Sequence, residues 1–208
     1  MNELPVFPDL ESLSAAVKVC ERCDLLVGRT KAVPGEGSVE AEVVFVGEGP
    51  GFHEDQQGRP FVGQAGNLLE EMIKAIGMRR SDVFIANLLK CRPPNNRDPE
   101  PTEAAACFPY LKQQLALIEP RLVVLLGRYA LNAFFPEKKI SLARGVSCRL
   151  NGRTFLPVYH PAAALRQFRL RHVLAEDFRM IPKLLADASS AQADPPPTPS
   201  TRQLSLFP

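Results

Sequence analysis

The sequence predicts an α/β fold, a three-layer α/β/α sandwich around a central, mostly parallel sheet of four strands. Three observations predict it. Short apolar runs bounded by turn residues occur at positions 42–46, 83–88, 121–126 and 154–159, the pattern of strands buried on both faces. Between them lie stretches with apolar residues at three- and four-residue spacing, the period of helices packed on a sheet. Strands that alternate with helices need crossover connections, which make neighbouring strands parallel and cover both faces.

Taken in order, residues 9–19 place Leu10, Leu13, Ala16 and Val17 on one helical face and lead into Cys20. The first strand, 42–46, runs into Gly47-Glu48-Gly49-Pro50-Gly51 and then Gly58-Arg59-Pro60-Phe61-Val62-Gly63. A helix over 64–76 stops at Gly77, where glycine supplies a C-terminal cap. After the second strand, 83–88, Pro93, Pro94, Asn95 and Asn96 force a loop. The next helix starts at Thr102, just after Pro101, and continues to position 118. The third strand, 121–126, is followed by a short helix over 128–135. Residues 148–150, the Asn151-Gly152 turn and 154–159 make a hairpin whose second arm is the last core strand. A helix over 172–185 closes the domain, so a folded unit of residues 1–187 is expected. Beyond it, Pro195, Pro196, Pro197, Pro199 and Pro208 make 188–208 read as an extended, mobile tail.

Of the 208 residues, 45% are hydrophobic and 23% charged, which excludes a disordered or collagen-like chain. The net charge of +2 is polarised: residues 1–60 carry −6 and residues 61–208 carry +8. A basic face suits a polyanionic partner. No apolar run approaches the ~20 residues of a membrane span, and the acidic N-terminus does not read as a secretory signal. A cytoplasmic monomer is expected.

The cysteines carry the strongest spacing signal. Cys20-Glu21-Arg22-Cys23 is followed after 67 residues by Cys91 and after 15 more by Cys107, with Cys148 apart in a strand as a small core residue. Without an export signal a disulfide framework is not expected. Four thiolates complete a tetrahedral site for zinc or hold an iron–sulfur cluster, and spacing alone does not separate the two. The rivals are unpaired structural cysteines and a redox Cys-x-x-Cys pair, the latter leaving Cys91 and Cys107 without a role. The glycine-rich loop lacks the Gly-Lys-Ser/Thr ending of a phosphate loop and forms no dinucleotide fingerprint, which argues against a nucleotide-cofactor enzyme.

In this order, Gly47-Glu48-Gly49-Pro50-Gly51, Gly58-Arg59-Pro60-Phe61-Val62-Gly63, Asn87 ahead of Lys90-Cys91-Arg92-Pro93-Pro94, and His160-Pro161-Ala162-Ala163 resemble the iron–sulfur family 4 uracil-DNA glycosylases. The four-cysteine spacing matches as well, and the resemblance covers roughly residues 20–185. It implies a [4Fe-4S] cluster on Cys20, Cys23, Cys91 and Cys107. It also implies an enzyme that flips uracil out of single- or double-stranded DNA and hydrolyses the N-glycosidic bond, leaving an abasic site and so starting base excision repair. On that pattern Gly47 and Gly49 border the base, and Phe61 stacks on it. Asn87 reads N3–H and O4, which cytosine presents in reverse. His160 and the Gly49 N–H donate to O2 as charge develops there. Glu54 fills the edge where thymine carries a methyl, and Glu48 positions or activates water. Phe52-His53 stands where many members carry acidic residues. The loop Arg92-Pro93-Pro94-Asn95-Asn96-Arg97-Asp98 holds no histidine, so turnover is expected rather than covalent capture of DNA.

Next to the last motif, Arg166 and Arg169 are placed to neutralise phosphates and Leu165 to wedge into the gap left by the flipped base. The C-terminal Gln203, Leu204, Leu206 and Phe207 resemble the bacterial sliding-clamp-binding peptide, and a tether of this kind raises local concentration near DNA. Two other readings stand beside this one: a non-catalytic, metal-stapled nucleic-acid or clamp adaptor, and a glycosylase for another deaminated base such as hypoxanthine.

Overall fold

The computed structural model describes residues 4–191, with side chains to 187. Six strands form one sheet: β1 (Glu36–Gly37), β2 (Val43–Gly47), β3 (Phe84–Asn87), β4 (Leu122–Leu126), β5 (Cys148–Leu150) and β6 (Arg153–Val158), in the order β1-β3-β2-β4-β6-β5. The four inner strands are parallel, as expected. The sheet is nevertheless wider than the four strands read from the sequence, because β1 and β5 add antiparallel edges. β1 is two residues long and has no apolar alternation to announce it. β5 is the first arm of the expected hairpin, closed by Asn151 at φ +50° and Gly152 at φ +78°, the two left-handed positions of a tight hairpin turn.

The helices are α1 (Leu10–Lys18), α2 (Leu25–Gly28), α3 (Phe52–Gln57), α4 (Gln64–Ala75), α5 (Pro101–Ile118), α6 (Arg128–Phe134), α7 (Ile140–Ala143), α8 (Pro161–Arg166), α9 (Phe168–Phe178) and α10 (Met180–Ala191). Alternation along the strands divides the core. Val43, Phe45, Ile85, Val124 and Leu156 face α4 and α9 through Leu69, Ile73, Leu174 and Phe178. Val44, Val46, Ala86, Val123 and Leu125 face α5 and α6 through Leu111, Leu115 and Leu131. Burial on both faces is why these strands read as unbroken apolar runs. A third cluster packs Leu13 and Val17 of α1 against Leu89, Cys91, Cys107 and Tyr110. α1 begins where Asp9 Oδ1 accepts the Ser12 N–H at 2.7 Å, an N-cap that satisfies one free backbone donor.

The single closing helix expected over 172–185 is two helices. Pro182 has no N–H to give the carbonyl four residues back and its ring collides with it, so the chain restarts at Met180 with the proline in the tolerated first turn. α10 then runs to Ala191. Gln203, Leu204, Leu206 and Phe207 lie outside the described residues. Among the described residues, no helix is long and apolar enough to cross a membrane.

The chain leaves β2 for β3 on one side and returns past it to β4 on the other. The carboxyl end of β2 is thus a topological switch point, where α/β sheets open a crevice.

Candidate active site

That crevice is a cavity of about 260 Å³ lined by Glu48, Gly49, Glu54, Phe61, Asn87 and His160, together with Pro93, Asn96, Arg97 and Arg166. Residues spread from 48 to 166 converge because β2, β3 and β6 all end there. The volume lies below the roughly 300–1,000 Å³ of pockets for drug-sized ligands, a size for one base ring rather than a dinucleotide.

Asn87 ends β3 in register with Gly47 of β2. A methyl group on Gly47 would sit 2.3 Å from Asn87 Oδ1 and 2.7 Å from the Phe61 ring, so only glycine lets amide and ring close over the strand end. Asn87 is 1% exposed, and its Oδ1 is buried without a hydrogen-bond partner. An unpaired buried acceptor is costly, about 1–3 kcal/mol, unless a ligand donor meets it. Below, the buried Lys90 Nζ donates to the Asn87 carbonyl at 2.8 Å and to Gln114 Oε1 at 2.6 Å, and Gln114 Nε2 donates to the Pro34 carbonyl at 2.7 Å. Desolvation draws Lys90 down to about 8. The sequence reading passed over Lys90, although a lysine inside Leu88-Leu89-Lys90-Cys91 is the available signal of a buried, partnered charge.

Phe61 forms another wall, its ring stacked with the His160 imidazole at 5.6 Å and 28°. Its backbone is left-handed at φ +50°, a conformation uncommon for an aromatic residue. Arg80 holds it by donating to the Phe61 carbonyl at 3.1 Å and the Pro60 carbonyl at 2.5 Å. Glu54 lines the cavity, but both carboxylate oxygens are engaged. Oε2 accepts the Gly51 N–H at 3.2 Å, and Oε1 accepts the Val62 and Gly63 N–H groups at 2.9 Å each. Glu54 therefore ties the starts of α3 and α4 together.

His160 is the N-cap of α8, and its Nδ1 accepts the Ala162 N–H at 3.1 Å. Accepting there leaves the ring proton on Nε2, so the imidazole is a donor at that atom. Desolvation, with repulsion from Arg166 and slight relief from Glu54, pulls His160 down to about 4, so it is neutral at pH 7. Glu48 is half-buried, and desolvation, with repulsion from Asp98, lifts its carboxyl above the usual range against the pull of Arg128. Arg166 reaches the wall, whereas Leu165 and Arg169 stand exposed beside it. Asn96 and Arg97 are wall residues that the sequence reading did not select.

Away from the cavity, Cys20, Cys23, Cys91 and Cys107 belong to one cluster between α1 and α5, all four free thiols. Arg29 Nη1 donates to Cys91 Sγ at 3.4 Å and to the Cys20 carbonyl at 2.7 Å, and the Lys90 N–H donates to Cys107 Sγ at 3.4 Å. Burial pushes Cys107 up to about 12 and raises Cys91 and Cys23. Among the described residues, no three His, Cys, Asp or Glu side chains converge closely enough to hold a single metal ion. Cys148 is half-buried on the edge strand β5, against the second core cluster.

A sequence model of the Uracil DNA glycosylase superfamily matches residues 34–185. A type-4 uracil-DNA glycosylase from Sulfurisphaera tokodaii is 48% identical, the alignment covering 84% of each chain. One from Thermotoga maritima is 47% identical over 81% of this chain and 90% of the relative. A type-5 uracil-DNA glycosylase from Thermus thermophilus is 32% identical over 60% of this chain and 71% of the relative. With the motifs of both β2 and β6 gathered at one cavity, and with identity to the type-4 relatives that spans nearly the whole described fold, the chain belongs to the uracil-DNA glycosylase superfamily, in its type-4 branch.

Proposed function

We propose that this protein hydrolyses the N-glycosidic bond of deoxyuridine in DNA, releasing uracil and leaving an abasic site for base excision repair. The observation that carries the reading is the unpartnered Asn87 Oδ1, buried in the same cavity as the neutral His160 Nε2–H donor. An extruded uracil stacks on Phe61, gives its N3–H to Asn87 Oδ1 and takes the Asn87 amide N–H at O4. Cytosine, unprotonated at N3 and with an amino group at C4, leaves both groups mismatched. As the bond breaks, negative charge gathers on O2. His160 Nε2–H and the Gly49 N–H, which makes no other hydrogen bond among the described residues, meet it without reorganising. Gly47 keeps this end of the sheet open. Glu54 excludes the thymine methyl through the loop it ties in place, and Glu48 holds the attacking water against the sugar cation.

Arg166 and Arg169 are assigned to phosphates, and Leu165, 44% exposed at the end of α8, to the gap left in a duplex.

The four cysteines fit a [4Fe-4S] cluster. The donors are all soft sulfurs, they come from separate segments, and they lie in apolar surroundings. A single zinc draws its sulfurs to about 3.8 Å from one another, given Zn–S bonds of about 2.3 Å. A cluster spreads its thiolates over several irons. Arg29 and the Lys90 N–H offset the charge on the sulfurs. When bound, the cluster supplies a crosslink between the α1 end and α5; hydrolysis of this bond needs no electron. Residues 203–207 are assigned to a sliding clamp, an assignment excluded by a chain ending at residue 191 that binds the clamp as well as the full chain.

The test measures free-base release from matched oligonucleotides carrying uracil, hypoxanthine, thymine or cytosine. Uracil alone is expected to be released, and His160→Ala is expected to cut kcat by about 10²–10³. Release of no base by iron-loaded protein would leave the adaptor reading, and hypoxanthine release at the uracil rate would make this an enzyme of broader substrate range.

A further inference from the structure

Two large aromatic side chains stand in water beside the pocket: Phe52 is 53% exposed and Phe168 is 86% exposed. Rings this exposed at a charged rim are open to stacking by a flat partner. Phe52 opens α3 directly after Gly51, a wall residue. The Arg92 guanidinium lies 5.2 Å from the centre of its ring, and Arg92 Nε donates at 2.7 Å to Oδ1 of Asn96, also in the wall. Phe168 follows the wall residue Arg166 by two positions, in the exposed run 165–169. Arg166 and Arg169 form no ion pair among the described residues. Each of these two rim segments thus combines an open aromatic face with arginine charge, next to a cavity sized for one base.

Proteins hold single-stranded nucleic acid in this way, with bases stacked on rings and arginines at the phosphates. In a duplex the bases beside an extruded nucleotide keep their partners and their stacking, so their faces are not free. In a single strand they are. We propose that Phe52, with Arg92, and Phe168 are stacking platforms for the nucleotides flanking the extruded one, and that the substrate they serve is single-stranded DNA. This inference rests on the glycosylase reading of the pocket.

The experiment compares wild type with Phe52→Ala/Phe168→Ala on short single strands holding one uracil, flanked either by thymidines or by tetrahydrofuran spacers that lack a base, and on the thymidine-flanked strand annealed to its complement. Both side chains are exposed, and an unchanged Tm checks the fold of the variant. Spacers are expected to raise the wild-type KM about tenfold, while the double variant shows that raised KM with either flank, because ring and base belong to one contact. Fluorescence anisotropy of the same strands without uracil reads the platforms independently of base release. Spacer-sensitive binding without uracil release would therefore overturn the glycosylase reading and leave the platforms standing. A double variant as spacer-sensitive as wild type overturns the platforms, and so does an equal loss on duplex and single strand.

Discussion

At Gly47 the strand register decides what closes over the strand end, since its paired residue is Asn87 and a methyl there would overlap the amide oxygen. Gly47→Ala is expected to lower kcat/KM for uracil at least tenfold, while a β-strand centre otherwise accepts alanine as well as glycine or better. A wild-type kcat/KM in that variant would show that the amide does not close over Gly47. His160 carries a pH signature. Its folded value of about 4 lies below the ordinary 6.5, so as pH falls the unfolded chain takes up the proton first. The stability it contributes is complete above about pH 6.5 and is lost between there and pH 4, in total of the order of 3 kcal/mol. Urea midpoints across this window are expected to fall in wild type and to lose that part of the slope in His160→Gln. Identical slopes would mean that His160 titrates as if exposed.

Among the elements, β3 and α5 are joined by a polar contact inside an apolar core. Lys90 bridges the Asn87 carbonyl to Gln114 of α5, and Gln114 reaches the Pro34 carbonyl, so the Asn87 backbone rests on a chain of satisfied groups. Lys90→Met keeps the length and removes the donor. Two acceptors left unpaired, offset by relief from burying a charge, are expected to cost about 2 kcal/mol, or roughly 4–8 °C in Tm. The kcat for uracil is expected to fall with it, because the Asn87 backbone is no longer held. Unchanged Tm and kcat together would show that packing alone positions β3. The helix after the proline-rich loop reads from Thr102 in the sequence and begins one residue earlier, at Pro101, whereas the break between α9 and α10 does not show there, because the apolar period continues smoothly across Pro182.

For the whole molecule, the cysteine cluster joins the α1 end to the layer that carries Asn87. Iron determination on anaerobically prepared protein is expected to give about four irons per chain. Loss of even about 3 kcal/mol on removing the cluster, well under the ~10 kcal/mol of a structural zinc site, lowers Tm by roughly 6–12 °C. Cys107→Ser is expected to show both the iron loss and the lower Tm. A variant with full iron would remove Cys107 from the ligand set.

The sequence by itself determined the four parallel core strands and the longer helices between them, because apolar runs and helical periods are local and each must be buried somewhere. It also marked Glu48, Asn87 and His160, which stand at the carboxyl ends of buried strands, where such sheets bind ligands, and which match the motifs of the family the sequence resembles. The tertiary structure alone decided what those residues present. The strand register placed Gly47 against Asn87, the N-cap geometry put the His160 proton on Nε2, and folding of the loop spent both Glu54 oxygens on backbone N–H groups. Lys90 under the site and the exposed Phe52 and Phe168 at its rim were also settled there. Burial and hydrogen-bond direction depend on what packs opposite a residue, and partners far apart along the chain leave no local pattern.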